Sequence, residues 1–291
     1  MKLLVTGATG FIGSHLTQRL EKDGHDLCVI IRPSSTSTPA KTFTFDGNIP
    51  ALITFMQEEK FDGVIHLASL FLAQHTSEDI PGLINSNILF STALLEATAK
   101  SETPWFINTG TFWQHFENAD YAPVNLYAAT KQAFQDIAQY YLETTPLNFV
   151  TLQLSDTFGP GDLRPKVFNL WMKIAKSGET LEMSPGEQLL DISFIENVID
   201  GYVQLIKLLS EKQAAALRGK SFALSSGKPL SLKKLAEIFA TVTGATLHIA
   251  WGKKPYRPRE VMIPWNLGEK IPGLTPRYSL EEGIKLTFNE K

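Results

Sequence analysis

The sequence holds a single cysteine, Cys28, in 291 residues, and no Cys/His cluster has metal-ligand spacing. A disulfide framework is excluded, and no metal is expected. No run approaches the ~20 apolar residues that a membrane helix needs. The first residues, Met1-Lys2-Leu3-Leu4-Val5-Thr6, pass into glycine-rich sequence without a small-residue cleavage site. A cytoplasmic location without membrane contact is the expectation. Charge of one sign is missing too: 27 Lys+Arg face 30 Asp+Glu, a net charge of −3 without a basic block. Neutralising nucleic-acid phosphates needs clustered Lys/Arg, so a small ligand is the better expectation than nucleic acid. Internal repeats and low-complexity segments are absent. With 43% hydrophobic residues, a chain of this size buries about three-quarters of its extended surface, enough for a core without staples.

What the sequence does have is a rhythm. Short runs that are apolar on consecutive residues recur at Leu3-Leu4-Val5, Leu27 to Ile31, Gly63 to Leu67, Trp105 to Ile107 and Phe149 to Leu154. Such runs belong to strands covered on both faces. Helix-like stretches separate them, the first carrying Ile12, Leu16 and Leu20 and stopping near Gly24. The pattern predicts an α/β protein, a doubly wound parallel sheet of the Rossmann type. After Phe158-Gly159-Pro160-Gly161-Asp162 the elements become shorter, with a strand Phe222-Ala223-Leu224 and a helix capped by Ser231. We expect a dinucleotide-binding domain over 1–157 and a smaller mixed α/β substrate domain over 158–291, the chain returning to the first domain near 190–210.

Thr6-Gly7-Ala8-Thr9-Gly10-Phe11-Ile12-Gly13 links the first strand to the first helix. Its glycines permit the tight turn, the approach of backbone to a pyrophosphate and close helix–strand packing. Gly7, Thr9, Gly10, Phe11, Ile12 and Gly13 are therefore candidate cofactor contacts. The second strand ends Ile30-Ile31-Arg32-Pro33-Ser34-Ser35, without the carboxylate that holds an unphosphorylated ribose. Arg32, with Ser34 and Ser35, suits a 2′-phosphate, which predicts NADP(H) in preference to NAD(H). Further on, Tyr127 and Lys131 sit at i, i+4 on one helical face, where the ammonium can favour the phenolate and lower its pKa. Thr111 follows the strand Trp105-Phe106-Ile107-Asn108, past its C-terminal end, where open α/β sheets take their ligands.

Together with Asp62-Gly63-Val64-Ile65-His66-Leu67-Ala68-Ser69, Phe158-Gly159-Pro160, Asp191 to Val198 and Ser279-Leu280-Glu281-Glu282-Gly283, these segments make the chain resemble an extended short-chain dehydrogenase/reductase of the nucleotide-sugar epimerase/dehydratase type, over nearly its whole length. The resemblance implies Tyr127 as the general acid or base, Thr111 sharing its hydrogen bond, and Lys131 orienting the nicotinamide ribose. It also implies cofactor contacts from Asp46, Leu67, Ala68, Ser69, Asn87 and Thr109, a packed His66 near the cofactor, and a substrate diphosphate at Arg257, with Arg259 and Lys166 as lesser candidates. Phe112, Trp113 and Phe158 are candidates for lining the pocket.

Dehydratases of this type carry an Asp-Glu pair after the threonine, where this chain has Phe112-Trp113, so water elimination is not expected. The segment Leu154 to Lys166 most resembles nucleotide-sugar 4-ketoreductases of the CDP-abequose and CDP-paratose synthase group, with Asp156 in place of a frequent Asn. The leading expectation is thus NADPH-dependent reduction of a 4-keto-(di)deoxy nucleotide sugar. The alternatives are an epimerase with resident NAD, a reductase of small ketones, and a non-catalytic NADP sensor. By resemblance, a homodimer is expected through the helices around Asn87 to Lys100 and Tyr127 to Leu142, with Leu89, Ala93, Leu94 and Ala97 forming one apolar face.

Overall fold

The computed structural model describes residues 1–34, 40–211 and 214–288. Ser35, one of the hydroxyls expected near a 2′-phosphate, lies outside them.

The predicted strands appear as β1 (Lys2–Thr6), β2 (Asp26–Ile31), β3 (Lys41–Thr44), β4 (Gly63–His66), β5 (Trp105–Thr111) and β6 (Asn148–Leu154). Three two-stranded ribbons lie outside the main sheet. They pair β7 (Asp156–Phe158) with β10 (Ile192–Phe194), β8 (Leu181–Glu182) with β13 (Ile249–Ala250), and β9 (Leu189–Leu190) with β12 (Leu230–Ser231). With β11 (Ser221–Leu224) and β14 (Glu269–Lys270), the main sheet has eight strands in the order β14-β11-β6-β5-β4-β1-β2-β3, every neighbouring pair parallel. The order reverses between β1 and β4, which opens a crevice at the C-terminal strand ends.

The consecutive apolar residues divide between the two faces. Leu3, Val5, Val29, Ile65 and Ile107 join one core with α1 (Phe11–Lys22) and, from the second half of the chain, helices that include Trp171, Ile195 to Leu209 and Phe239. Leu4, Cys28, Ile30, Val64 and Phe106 join the other core with α2 (Ile49–Glu59). Helix α3 (Ile80–Ile84) runs through a π turn (Asn85–Leu89) into α4 (Phe90–Lys100), and α5 (Leu126–Thr144) lies beside it on the same face. Burial pushes the Cys28 thiol up to about 11, so it is an inert packing group. The remaining helices are α6 (Val167–Ser177), α7 (Ile195–Leu209), α8 (Leu232–Thr243), which Ser231 caps through its Oγ, and α9 (Leu280–Phe288).

Two details differ from the sequence reading. The strand at Phe222 to Leu224 falls within the segment assigned to a separate substrate unit, yet as β11 it extends the main sheet from β6. Three apolar residues at its position complete a buried sheet as readily as they start a new one. The face proposed for a second copy of the chain also divides: Ala93, Leu94 and Ala97 are 3%, 0% and 0% exposed inside the core, and only Leu89 stands out, at 57%. Helical spacing alone does not say which of two apolar neighbours a stripe will meet.

Candidate active site

A cleft of about 660 Å³ runs along the C-terminal ends of the strands. Its floor comes from the turn after β1, Leu67 after β4, Thr109 to Trp113 on and after β5, and Ser155 and Asp156 after β6. Residues 181–184, 188–191, 254–255, 257–261 and 264–265 of the second half face it.

The turn after β1 is built for a close approach. Gly7 has φ +73°, and a Cβ there would stand 2.7 Å from Ala68 N. At Gly13 a Cβ would overlap the Gly7 carbonyl oxygen. Helix α1 starts at Gly10 with no side-chain cap and no acidic residue in its first turn, so its donors and positive end are left to an anion. Phe11 lies under the Arg164 guanidinium at 4.6 Å. Arg164 is fixed by a bidentate pair with Asp162, with Nε–Oδ1 at 2.7 Å and Nη2–Oδ2 at 2.8 Å.

Helix α5 is placed by two asparagines. Asn125 caps it, accepting from Ala128 N at 3.0 Å, while its Nδ2 donates to the carbonyls of Leu72 and Ala73. Asn87, buried in the π turn, accepts from Ser69 Oγ and Leu70 N and donates to Leu70 O and Thr130 Oγ1. The loop after β4 is thus tied to the start of α5, and Phe71 rests edge-on against the Tyr127 ring, with centroids 5.0 Å apart. Burial pushes the Tyr127 phenol up to about 12, and its hydrogen bond with the Ser69 hydroxyl offsets only part of that. Lys131, 3% exposed, is lowered to about 8 by burial. It lines the cleft without a hydrogen bond or ion pair among the described residues.

The ammonium therefore does not set the phenol's pKa in this state. Desolvation is the largest influence on Tyr127, opposed by Ser69 and Arg164, and it keeps the phenol above its ordinary value.

On the facing wall Lys166 pairs with Asp156 at 2.7 Å and lies 5.1 Å from the Phe71 ring centroid. Burial works against the Asp156 charge, but Lys166, then Arg164 and Arg257, hold the carboxyl below the usual range. Arg257 pairs with Glu260 and lies 6.0 Å from the Trp113 ring centroid. Trp265 stacks on His115 and meets Phe112 edge-on.

Residues 3–216 match the model of the NAD dependent epimerase/dehydratase family. The chain belongs to that family. It is 26% identical over 294 residues to a CDP-abequose synthase of Salmonella muenchen, covering all of this chain and 98% of that protein. A CDP-abequose synthase of Salmonella typhimurium is 25% identical, covering 97% of this chain and 96% of its own. Among solved structures, a UDP-glucose 4-epimerase of Thermotoga maritima with UDP-glucose superimposes with a TM-score of 0.85 at 21% identity, over 99% of this chain and 98% of that one. A UDP-glucuronic acid 4-epimerase of Bacillus cereus with UDP-glucuronic acid and NAD gives 0.83 at 23%, with the same coverage. The chain is an NAD(P)-dependent enzyme of the epimerase/dehydratase family, and its own residues fit the cofactor: an uncapped helix start beyond a glycine cradle, and a buried, unpartnered lysine in the same cleft.

Most candidates meet in that cleft: Gly7, Gly10, Phe11, Ile12, Gly13, Leu67, Ser69, Thr109, Thr111, Phe112, Trp113, Tyr127, Lys131, Asp156, Lys166, Arg257 and Arg259. Others do not line it. Thr9 is exposed on the turn, and Ala68 N donates to Thr6 Oγ1. Asn87 spends all four of its side-chain hydrogen bonds on the protein, so it positions the loop instead of touching a ligand. His66 is fully buried between Thr6 and Ser91. Phe158 is core, packed on Phe168 and Phe194. Asp46 is exposed and accepts from Asn48 N in its own turn. Arg32 and Ser34 are exposed after β2, and Arg32 has no partner among the described residues.

Sequence reasoning missed Phe71, Arg164, Trp265 and Gln188, all of which line the cleft. Phe71 had a signal, an aromatic side chain just past a strand's C-terminal end. The others come together only through the fold.

Proposed function

We propose that the protein reduces the 4-keto group of a (di)deoxy nucleotide sugar with NADPH. The observation that carries this reading is that Thr111, Tyr127 and Lys131 line one cleft together with Phe112 and Trp113, the two aromatics that stand where a dehydratase needs acid–base side chains. The curated relatives named as CDP-abequose synthases support it. The turn from Gly7 to Gly13 and the start of α1 would hold the pyrophosphate, Lys131 the ribose hydroxyls, and Arg32 with Ser34 the 2′-phosphate. When bound, the dinucleotide supplies the hydride. Tyr127 passes its proton to the sugar oxygen as charge develops there, so no alkoxide accumulates. Thr111 shares that hydrogen bond, while Lys166 and Arg257 face the diphosphate. Cofactor on residues 1–157 and sugar nucleotide on 158–291 is the division of labour we assign. A second copy of the chain would cover Ile84, Leu89 and Tyr140, which stand exposed on the helices beside the cleft.

A panel of 4-keto-6-deoxy nucleotide sugars tests the reaction. NADPH should be consumed in step with 4-hydroxy sugar, one configuration per substrate. Tightly held NAD after purification, with interconversion of C4 epimers and no net consumption, would establish the epimerase reading instead.

Arg32 tests the cofactor preference. A charge-assisted contact to phosphate contributes roughly 1.5–3 kcal/mol, so Arg32→Ala should weaken NADPH about 10- to 100-fold and leave NADH almost unchanged. Equal affinity of the wild type for NADPH and NADH would refute the preference.

A further inference from the structure

Thr111 ends β5 and Tyr127 stands in the first turn of α5, and the chain between those elements, residues 112–125, runs through two short 3₁₀ turns. The spacing of the two hydroxyls therefore depends on what fastens the end of β5 to α5. Gln114 makes that link. It is 0% exposed and does not line the cleft. Its Oε1 accepts from Thr111 N at 3.0 Å, while its Nε2 donates to Gln132 Oε1 at 2.8 Å and to Gln135 Oε1. Both amide hydrogens are thus taken up by α5.

Each end of the link is itself fixed. Gln135 continues the row of Tyr127 and Lys131 at i, i+4, i+8, so the helical face that carries the phenol and the ammonium also carries the fastening. Its Nε2 donates to Ser221 Oγ on β11 at 3.3 Å, and Gln132 Nε2 donates to Asp136 Oδ1 at 2.8 Å. Room for the buried amide is made at Gly110, where a Cβ would stand 3.0 Å from Gln114 Oε1. At the other end, Trp113 N donates to Thr111 Oγ1 at 3.3 Å. That contact leaves the Thr111 hydroxyl hydrogen without an acceptor among the described residues, at the wall of the cleft.

We propose that Gln114 is a positioning residue, which holds the Thr111 hydroxyl at the distance from Tyr127 where both meet one substrate oxygen; this rests on the ketoreduction reading above. Gln114 touches neither substrate nor cofactor and acts through Thr111. A buried amide with its donors and acceptor all engaged is a stiffer spacer than a loop of 3₁₀ turns. Stiffness matters here because a reacting group misplaced by about 1 Å loses up to about 100-fold in rate.

Steady-state kinetics on the 4-keto-6-deoxy sugar panel, with and without Thr111→Val, decides the matter. Thr111→Val alone should lower kcat about 100-fold, as the loss of one donor to a developing oxyanion does. Gln114→Met keeps the side-chain length and loses all three hydrogen bonds; it should lower kcat about 10-fold, with the sugar KM and NADPH affinity within about twofold. Added to Thr111→Val it should change kcat by less than about twofold, because no hydroxyl is left to misplace. Gln132→Met combined with Gln135→Met cuts the same link from half-buried positions on α5 and should reproduce this pattern, which keeps the test valid if Gln114→Met does not fold. Losses of equal size in both backgrounds, a loss carried by KM or by NADPH affinity, unchanged turnover, or a Thr111→Val variant as fast as the wild type would overturn the assignment and leave the ketoreduction reading standing. Absence of wild-type turnover on every sugar of the panel would overturn both.

Discussion

Tyr127→Phe should lower turnover about 10³-fold while NADPH affinity stays within about twofold, because a positioned general acid contributes roughly 10²–10⁴. The side chain keeps its ring against Phe71 at a 5.0 Å centroid distance, so the change removes one oxygen and little packing. The phenol sits at about 12 in the open cleft, so it carries its proton throughout the neutral range and has one to give. Steady-state kinetics with a responsive 4-keto sugar, alongside a fluorescence titration with NADPH, separates the two quantities. Unchanged turnover would remove Tyr127 from the reaction, and a parallel collapse of NADPH binding would mean that it acts through the cofactor site.

The second large effect is expected at Gly13→Ala. Helix propensity alone argues for stabilisation, since alanine is better than glycine inside a helix by about 1 kcal/mol. Sterics oppose it more strongly. The new Cβ would meet the Gly7 carbonyl, which is backbone and cannot rotate away as a side chain would. Overpacking of this kind costs about 1–3 kcal/mol, and the natural relief is for α1 to move off β1. That movement would carry the α1 donors away from the pyrophosphate they are proposed to hold. NADPH affinity should therefore fall about 100-fold, the equivalent of one or two charge-assisted hydrogen bonds, and the melting temperature should drop by several degrees. A variant that binds NADPH like the wild type would show that the turn has slack which its geometry does not display.

How far the sequence could be read depended on whether a signal was local. Leu3-Leu4-Val5 and Val64-Ile65 announce strands buried on both faces because consecutive side chains point in opposite directions, and the structure sends Leu3 and Leu4 into different cores. The spacing of Gly7, Gly10 and Gly13 announces the turn for an equally local reason. Phe222 to Leu224 carries no mark of which sheet it will join, so its pairing with β6 was out of reach. Asn87 was legible as a site residue but not in its role, because the four groups it binds lie 17 to 43 residues away in sequence. The pKa of Tyr127 misled for a related reason: the i, i+4 lysine is visible in sequence, whereas the burial that raises the phenol depends on a loop from β4.

The membership of β11 in the main sheet bears on how the molecule comes apart. Severing the chain after residue 157 would strip β11 from β6, leaving Leu152 and Leu154 without the neighbour strand they are paired to. It would also remove the α7 side chains that share a core with Leu16 and Leu20. Neither half is then a self-sufficient folding unit, and heat or denaturant should dismantle residues 1–157 and 158–291 in one cooperative melt. Transplanting either half onto another scaffold would require rebuilding that shared seam.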